Sequence, residues 1–286
     1  TAARMLGFVL GPNLFNAQGS SPSLRIVRYE DVPDADLSRF EQQLEFFKKH
    51  FKPCTIDDLN SYLAGTLEKQ SKPLLLPTFD NALRSHFQTV SYLLTKHGFT
   101  GLFLIPTEFL TVNNQANYAR LRGITSKSSY PDGRIAMTTD EVIALSKAHG
   151  IVCHTHTHQQ FGPDMTAEDV GEELERSMSI LTRVMQLDVC GFGWVESDID
   201  AYSPHAFRLI SNRGFDFALT SVPGLNTDAT NRYELRRSPL DSSWPVSLVS
   251  FHLSGVMDLV YRSHKQEISH MNPTSQAVPP REAHQV

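Results

Sequence analysis

A chain of 286 residues, 40% hydrophobic and 20% charged, has the composition of an ordinary globular protein and is long enough for one large α/β barrel. Its 26 basic and 31 acidic residues give a net charge of -5 with no basic block or stripe, which argues against nucleic acid as a partner. Three widely separated cysteines (Cys54, Cys153, Cys190) offer neither a disulfide framework nor a Cys-x-x-Cys zinc site, and no run approaches the roughly 18 apolar residues that span a bilayer.

Arg4 precedes a short apolar run, Met5 to Gly11, at the lower limit of a signal-peptide core and without a clean cleavage site after it. Residues 1–23 therefore read as an apolar N-terminal segment docked on the fold. The compartment stays open, with the cytoplasm favoured over the periplasm or secretion, and so does the oligomeric state.

After a Gly/Ser/Pro break, Leu24 to Tyr29 alternates like a strand. Leu37, Phe40, Leu44, Phe47 and Phe51 recur at helical spacing, predicting a helix that ends near Lys52, before Pro53. Thr55 with Asp58 resembles a capping box opening a short helix to about Ala64. A leucine-rich strand over 74–79 leads into a helix from about Leu83 to His97, stopped by Gly98, and Thr100 to Ile105 is the next strand. Residues 107–136 are polar and too long for a routine connection, so they form an insertion, either a binding loop or surface variation.

Regularity resumes with Thr139 as a cap, a helix over 140–148, and a strand running from Gly150 to His154. A long helix spans about Ala167 to Gln186, followed by a strand Val189–Trp194, a helix over 204–213 stopped by Gly214, and a strand Phe215–Thr220. A final strand, Val246 to Phe251, is expected to end at His252. From 263 to 286 the chain is polar without a hydrophobic period and reads as a loosely ordered tail, leaving 24–262 as the domain. Strands alternating with helices imply a mostly parallel sheet of about seven strands, a closed or nearly closed barrel whose chemistry belongs at the strand C-terminal ends. Asp80, Asn81, His154, His158 and His252 all fall at such ends.

Two of these ends carry metal-site signals. His154, His156 and His158 follow a short apolar run at a spacing of two, and imidazole is the commonest protein ligand for a catalytic transition metal. An extended strand would project all three to one face, so an all-histidine site is one reading. Upstream, the strand over 74–79 stops at Asp80-Asn81, an acid and an amide. Asp80 alone also suits a helix N-cap. Glu196 reads first as a solvated surface residue, with an acid or ligand role as the alternative, and Cys153 and Cys190 read as small core residues.

The order Thr78-Phe79-Asp80-Asn81, then His154-Thr155-x-x-His158, resembles the polysaccharide deacetylases, the nodulation-type carbohydrate esterase family four. Arg28-Tyr29-Glu30-Asp31-Val32 is similar to that family's opening Tyr-His-Asp-Val. Thr138-Thr139-Asp140-Glu141 leading to Gly150 and His154, and Gly214 to Thr220, resemble later segments in the right order. The resemblance covers most of 24–252. It implies a distorted (β/α) barrel of TIM-like type and a hydrolase that removes N-acetyl groups from a carbohydrate or amino-sugar substrate.

Carried over by position, the resemblance makes Asp80 the catalytic base and assigns Asn81, His154 and His158 to a divalent transition metal, with zinc first and cobalt or nickel as alternatives. It places His252 near the position of the general acid, with Ser250 where the family has leucine. Asn81 stands where the family has aspartate, which removes one negative charge from the ligand set and predicts weaker metal binding. Trp194-Val195-Glu196-Ser197 stands where the family has Tyr-Pro-Tyr-Gly. Two further readings follow from these departures: an impaired deacetylase-like barrel that only binds, and a metal-dependent amidase acting on a non-sugar amide.

Overall fold

Short apolar runs, buried on both sides as parallel strands must be, build the centre of the computed structural model, which describes residues 22–196 and 198–276. The strands are β1 (Leu24–Tyr29), β2 (Lys52–Pro53), β3 (Leu74–Phe79), β4 (Leu102–Ile105), β5 (Gly150–Cys153), β6 (Val189–Gly193), β7 (Phe217–Leu219) and β8 (Arg237–Pro239). They form a single sheet in the order β7-β6-β5-β4-β3-β1-β8, with β2 added alongside β3. Every pairing is parallel. The two edges nearly meet: Leu235, just before β8, bridges Leu219 of β7, its N–H donating to Ala218 O at 3.0 Å. The result is the expected distorted (β/α) barrel, closed at the seam by this bridge.

The helices are α1 (Leu37–His50), α2 (Ile56–Ala64), α3 (Ser91–His97), α4 (Gln115–Leu121), α5 (Thr139–Leu145), α6 (Ala167–Met178), α7 (Pro204–Asn212), α8 (Val246–Leu253), α9 (Val256–Val260) and α10 (Arg262–Met271). In α1 the stripe Phe40, Leu44 and Phe47 is fully buried, worth about 1.5–3 kcal/mol per side chain. α2 opens on the expected Thr55–Asp58 capping box and stops at Gly65, which is left-handed at φ 72°. The helix expected from about Leu83 to His97 forms, helical from Arg84 and tightened into α3 after a π-helical turn over His86–Val90, right behind Asn81 and Ala82 at positive φ. Gly98 stops it as predicted, left-handed at φ 78°. The cap of α5 is Thr138, not Thr139, and Glu141 completes its capping box.

Two expectations are corrected. Residues 246–251 are not a strand: Pro245 sits at the cap position and α8 follows, burying Val249 and Leu253. The last strand is instead β8, three residues long. The stretch from 263 is not loosely ordered as far as 276, since α10 runs through it and buries Ile268. Glu234 fastens this helix, accepting from Ser269 Oγ and Asn272 Nδ2, each at 2.6 Å. The apolar segment expected over 1–23 lies outside the described residues up to 21, as does 277–286.

The insertion over 107–136 has its own small core of Leu83, Phe109, Ala119, Ile124 and Ala136. One carboxylate pins it to the barrel. Asp31, just past β1, accepts from the backbone N–H groups of Lys127 and Ser128 at 2.6 and 2.9 Å, and from the Ser85 hydroxyl at 2.7 Å. Among the described residues no helix is long and apolar enough to cross a membrane.

Candidate active site at the strand C-terminal ends

Five non-glycine residues with positive φ cluster just past the C-terminal ends of three strands: Asn81 (79°) and Ala82 (50°) after β3, Thr155 (63°) and His158 (57°) after β5, and Glu196 (67°) after β6. L-residues avoid this region, at a cost of order 1–3 kcal/mol each, so the surrounding structure must hold them there. In an α/β barrel this is the face that carries chemistry.

At the end of β3, Asp80 is 4% exposed and does not cap the following helix. Its carboxylate accepts from Arg237 Nη1 at 2.6 Å and pairs with Arg28 Nε at 3.3 Å. Arg237, on β8, is fully buried, and its remaining donors reach Thr220 O (2.8 Å), Ser221 Oγ (2.9 Å) and Thr78 Oγ1 (3.3 Å). Arg28, on β1, also pairs with Glu30. Burial pushes the Asp80 carboxyl up, but the charges of Arg237 and Arg28 outweigh it and hold Asp80 below its ordinary value. It is an anion throughout the neutral range.

At the end of β5 the three histidines part company. β5 stops at Cys153, and the left-handed turn at Thr155 ends the extended geometry that would have aligned them. His154 and His158 face each other with ring centroids 5.0 Å apart. His156 turns away, its Nδ1 bonded to Thr107 Oγ1 at 2.8 Å, so the all-histidine arrangement does not form. Glu173 on α6 holds the loop, accepting from the N–H groups of His156 and Thr157 at 2.9 Å each.

Both facing histidines are buried and oriented from outside. His154 Nδ1 donates to Gly193 O at the end of β6, and His158 Nδ1 donates to Arg122 O in the insertion, each at 2.8 Å. That fixes the tautomer and leaves each Nε2 as a free lone pair, the arrangement metal-ligating histidines adopt. Burial lowers the pKa of both, His154 to about 3, so both rings are neutral. Asn81 is 4% exposed, and its Oδ1 is buried with no hydrogen-bond partner. Among the described residues no group of three His, Cys, Asp or Glu side chains is arranged to hold a metal. A third protein ligand beside the two histidines would have to be of another type, and the unpartnered amide oxygen of Asn81 is the candidate. Two neutral imidazoles and one orphaned oxygen fit a divalent cation.

The structure thus gathers Asp80, Asn81, His154 and His158 at one barrel end. His252 does not stand at a strand end as expected, although its neighbour Trp244 lines the cleft beside the site. The histidine lies on α8, half-buried, with its ring 4.5 Å from the Trp244 ring, and no hydrogen bond or ion pair links it to the other four among the described residues. Sequence reasoning missed Arg237, because a three-residue strand holding a proline carries almost no pattern. Beside the site, a cleft of about 220 Å³ is lined by Arg28, Glu30, Asp31, Lys127, Asp241 and Trp244 among others. Cys153 and Cys190 are core thiols, as expected, pushed up by burial to about 11 and about 12.

No family model and no characterised protein sequence matches this chain. Solved structures do match in fold. The deacetylase PplD of Streptococcus pyogenes, determined in complex with acetate, superposes with a TM-score of 0.62 at 13% identity, covering 80% of this chain and 97% of that one. IcaB from Ammonifex degensii gives 0.62 at 16% identity over 83% and 98% of the two chains. A de-N-acetylase from Aggregatibacter actinomycetemcomitans gives 0.64 at 12% identity over 80% and 99%. The barrel therefore shares the fold of these deacetylase structures.

Proposed function

We propose that this chain is a divalent-metal-dependent hydrolase that removes N-acetyl groups from a carbohydrate or amino-sugar substrate. The observation that carries the reading is the trio of Asn81 Oδ1, buried without a partner, and the paired rings of His154 and His158, locked so that Nε2 is free. These three residues would hold the ion, with zinc the first expectation and cobalt or nickel the alternatives. When bound, such an ion acidifies a water and polarises the acetamide carbonyl.

Asp80 takes the proton from the attacking water. Its two arginine partners keep it ionised and aimed, so the base form is available at any neutral pH. A carboxylate held this low is a weak base, which suits a water already made acidic and would not suit an ordinary one. The near-complete burial of Asp80, Asn81, His154 and His158 keeps bulk water from screening these charges. Trp244 in the adjoining cleft supports a sugar over a non-sugar amide, since an indole face beside carboxylates suits a ring with apolar C–H faces and hydroxyl edges.

Elemental mass spectrometry on the wild type and on a His154→Ala/His158→Ala double variant tests the reading. About one equivalent of transition metal in the wild type, lost in the double variant, together with acetate release from N-acetylglucosamine oligomers, is expected. A wild type that takes up no zinc, cobalt or nickel would leave a barrel that only binds. Metal uptake with hydrolysis of non-sugar amides alone would make it an amidase of another class.

A further inference from the structure

Amide hydrolysis needs a proton for the departing nitrogen, and the position of His252 on α8 leaves that role open. We propose that Glu196 is the acid that protonates the leaving amine, an inference that rests on the deacetylase reading above.

Glu196 follows β6, three residues after Gly193, whose carbonyl orients His154. A Cβ added to Gly123 would lie 3.9 Å from Glu196 Oε1, and Gly123 adjoins Arg122, whose carbonyl orients His158. The carboxyl therefore lies beside the backbone that aims His158, and it follows the strand whose last carbonyl aims His154. It is exposed at the rim of the site, within electrostatic reach of Arg28, Glu30, Asp80 and Asp198, and has no hydrogen-bond partner among the described residues. The positive φ of 67° at a non-glycine residue points the same way, since strain of this kind clusters at active sites.

Charge sorts the two carboxyls into two roles. Asp80 is paired directly with two arginines. Exposed as a residue, Glu196 has a carboxyl that is only partly desolvated at the rim; that partial desolvation raises it, and the carboxylates of Glu30, Asp198 and Asp80 push the same way against the opposing pull of Arg28. Paired carboxyls whose surroundings drive them apart are an acid and a base. Glu196 is not a metal ligand together with the two histidines, since no such three-residue group exists among the described residues.

In the step assigned here, the C–N bond of the tetrahedral adduct breaks, its electron pair goes to nitrogen, and the nitrogen takes the proton of the Glu196 carboxyl. Amine and acetic acid leave, and the acid gives its proton to the amine or to solvent. The proton that Asp80 took from water passes to solvent, and Glu196 takes one up, so one water is consumed per acetyl group.

The test compares the metal-loaded wild type with Glu196→Gln and His252→Gln on two substrates, an N-acetylglucosamine oligomer and 4-nitrophenyl acetate, with metal content measured on each protein. A nitrophenolate leaves without a proton, so it does not need the acid. Glu196→Gln is expected to keep its metal, to lose about 10²–10⁴-fold in acetate release from the oligomer, and to lose far less on the aryl ester. The alkaline limb of its kcat/KM profile on the oligomer is expected to disappear. Equal losses on both substrates, loss of the metal, or an undiminished oligomer rate would overturn the proposal. So would a leaving-group-dependent loss in His252→Gln in place of Glu196→Gln. If the wild type hydrolyses neither substrate, the deacetylase reading itself falls and the acid role falls with it.

Discussion

Replacing Arg237 by methionine removes the strongest partner of Asp80 while keeping much of the side chain's bulk. Arg237 is fully buried and donates to Asp80, Thr220, Ser221 and Thr78. Breaking a buried ion pair typically costs about 3–5 kcal/mol, because it strands the other charge. Arg28, 3.3 Å from Asp80, remains and offsets part of this, so the lower end, about 3 kcal/mol at pH 7, is expected. For a chain this size that corresponds to a fall of roughly 6–12 °C in Tm.

The pH dependence gives the sharper check. In the wild type the folded-state pKa of Asp80 lies below its ordinary value, so its contribution to stability is present above about 3.9 and is lost as pH falls through the lower folded value. Without Arg237, burial dominates and raises the Asp80 pKa in the folded state. The charged carboxylate then destabilises the variant at neutral pH, and that penalty is relieved as pH falls through the raised value. Urea denaturation from pH 7 down to pH 4 should therefore show a gap between the two proteins that is widest at pH 7 and narrows on acidification. A gap under about 1 kcal/mol at pH 7, or one that does not move with pH, would refute the argument.

On the proposed metal site, Asn81→Asp adds a negative charge beside the two imidazoles and should tighten zinc binding by on the order of tenfold or more, read by competition with a fluorescent chelator. The same substitution should lower the Tm of the metal-free protein, since it sets a second carboxylate beside Asp80. Asp31→Ala frees the backbone of Lys127 and Ser128 from its anchor, and hydrogen exchange across 125–130 should speed up, with a stability cost of about 1–3 kcal/mol. In Gly193→Ala the new Cβ would stand 2.2 Å from Leu104 Cδ2 and 3.4 Å from His154 Nδ1. Overpacking of this sort costs about 1–3 kcal/mol and should shift His154 enough to reduce the measured metal content.

Much of the barrel was legible because parallel strands are apolar from end to end and stop abruptly at the polar residue they present. β3 running into Asp80-Asn81 and β5 running into His154 are both of this kind. β8 was not legible, because three residues including Pro239 hold no period, and with it went Arg237. Residues 246–251 misled for the opposite reason: β-branched and apolar side chains are dense there, and only Pro245 and packing against α1 decide for a helix. The three histidines are indistinguishable in sequence. What separates His156 from the other two is a backbone angle at Thr155, and a threonine in the left-handed region is not something composition or spacing announces. The pairing of Asp80 with two arginines from β1 and β8 joins residues 52 and 157 positions apart in the chain, a link that only the closed sheet creates.

The carbonyl that orients His158 belongs to Arg122, which lies within the insertion and not on the barrel. The insertion is thus not an accessory that can be traded between barrels to change what they recognise. Any graft that shortens or replaces 115–124 also resets the aim of one of the two imidazoles, so changes in specificity and in metal affinity would arrive together. Variation that spares the histidine pair is confined to stretches beyond that carbonyl, such as the exposed positions around Pro131 to Gly133. A laboratory redesign of this surface has the same boundary to respect.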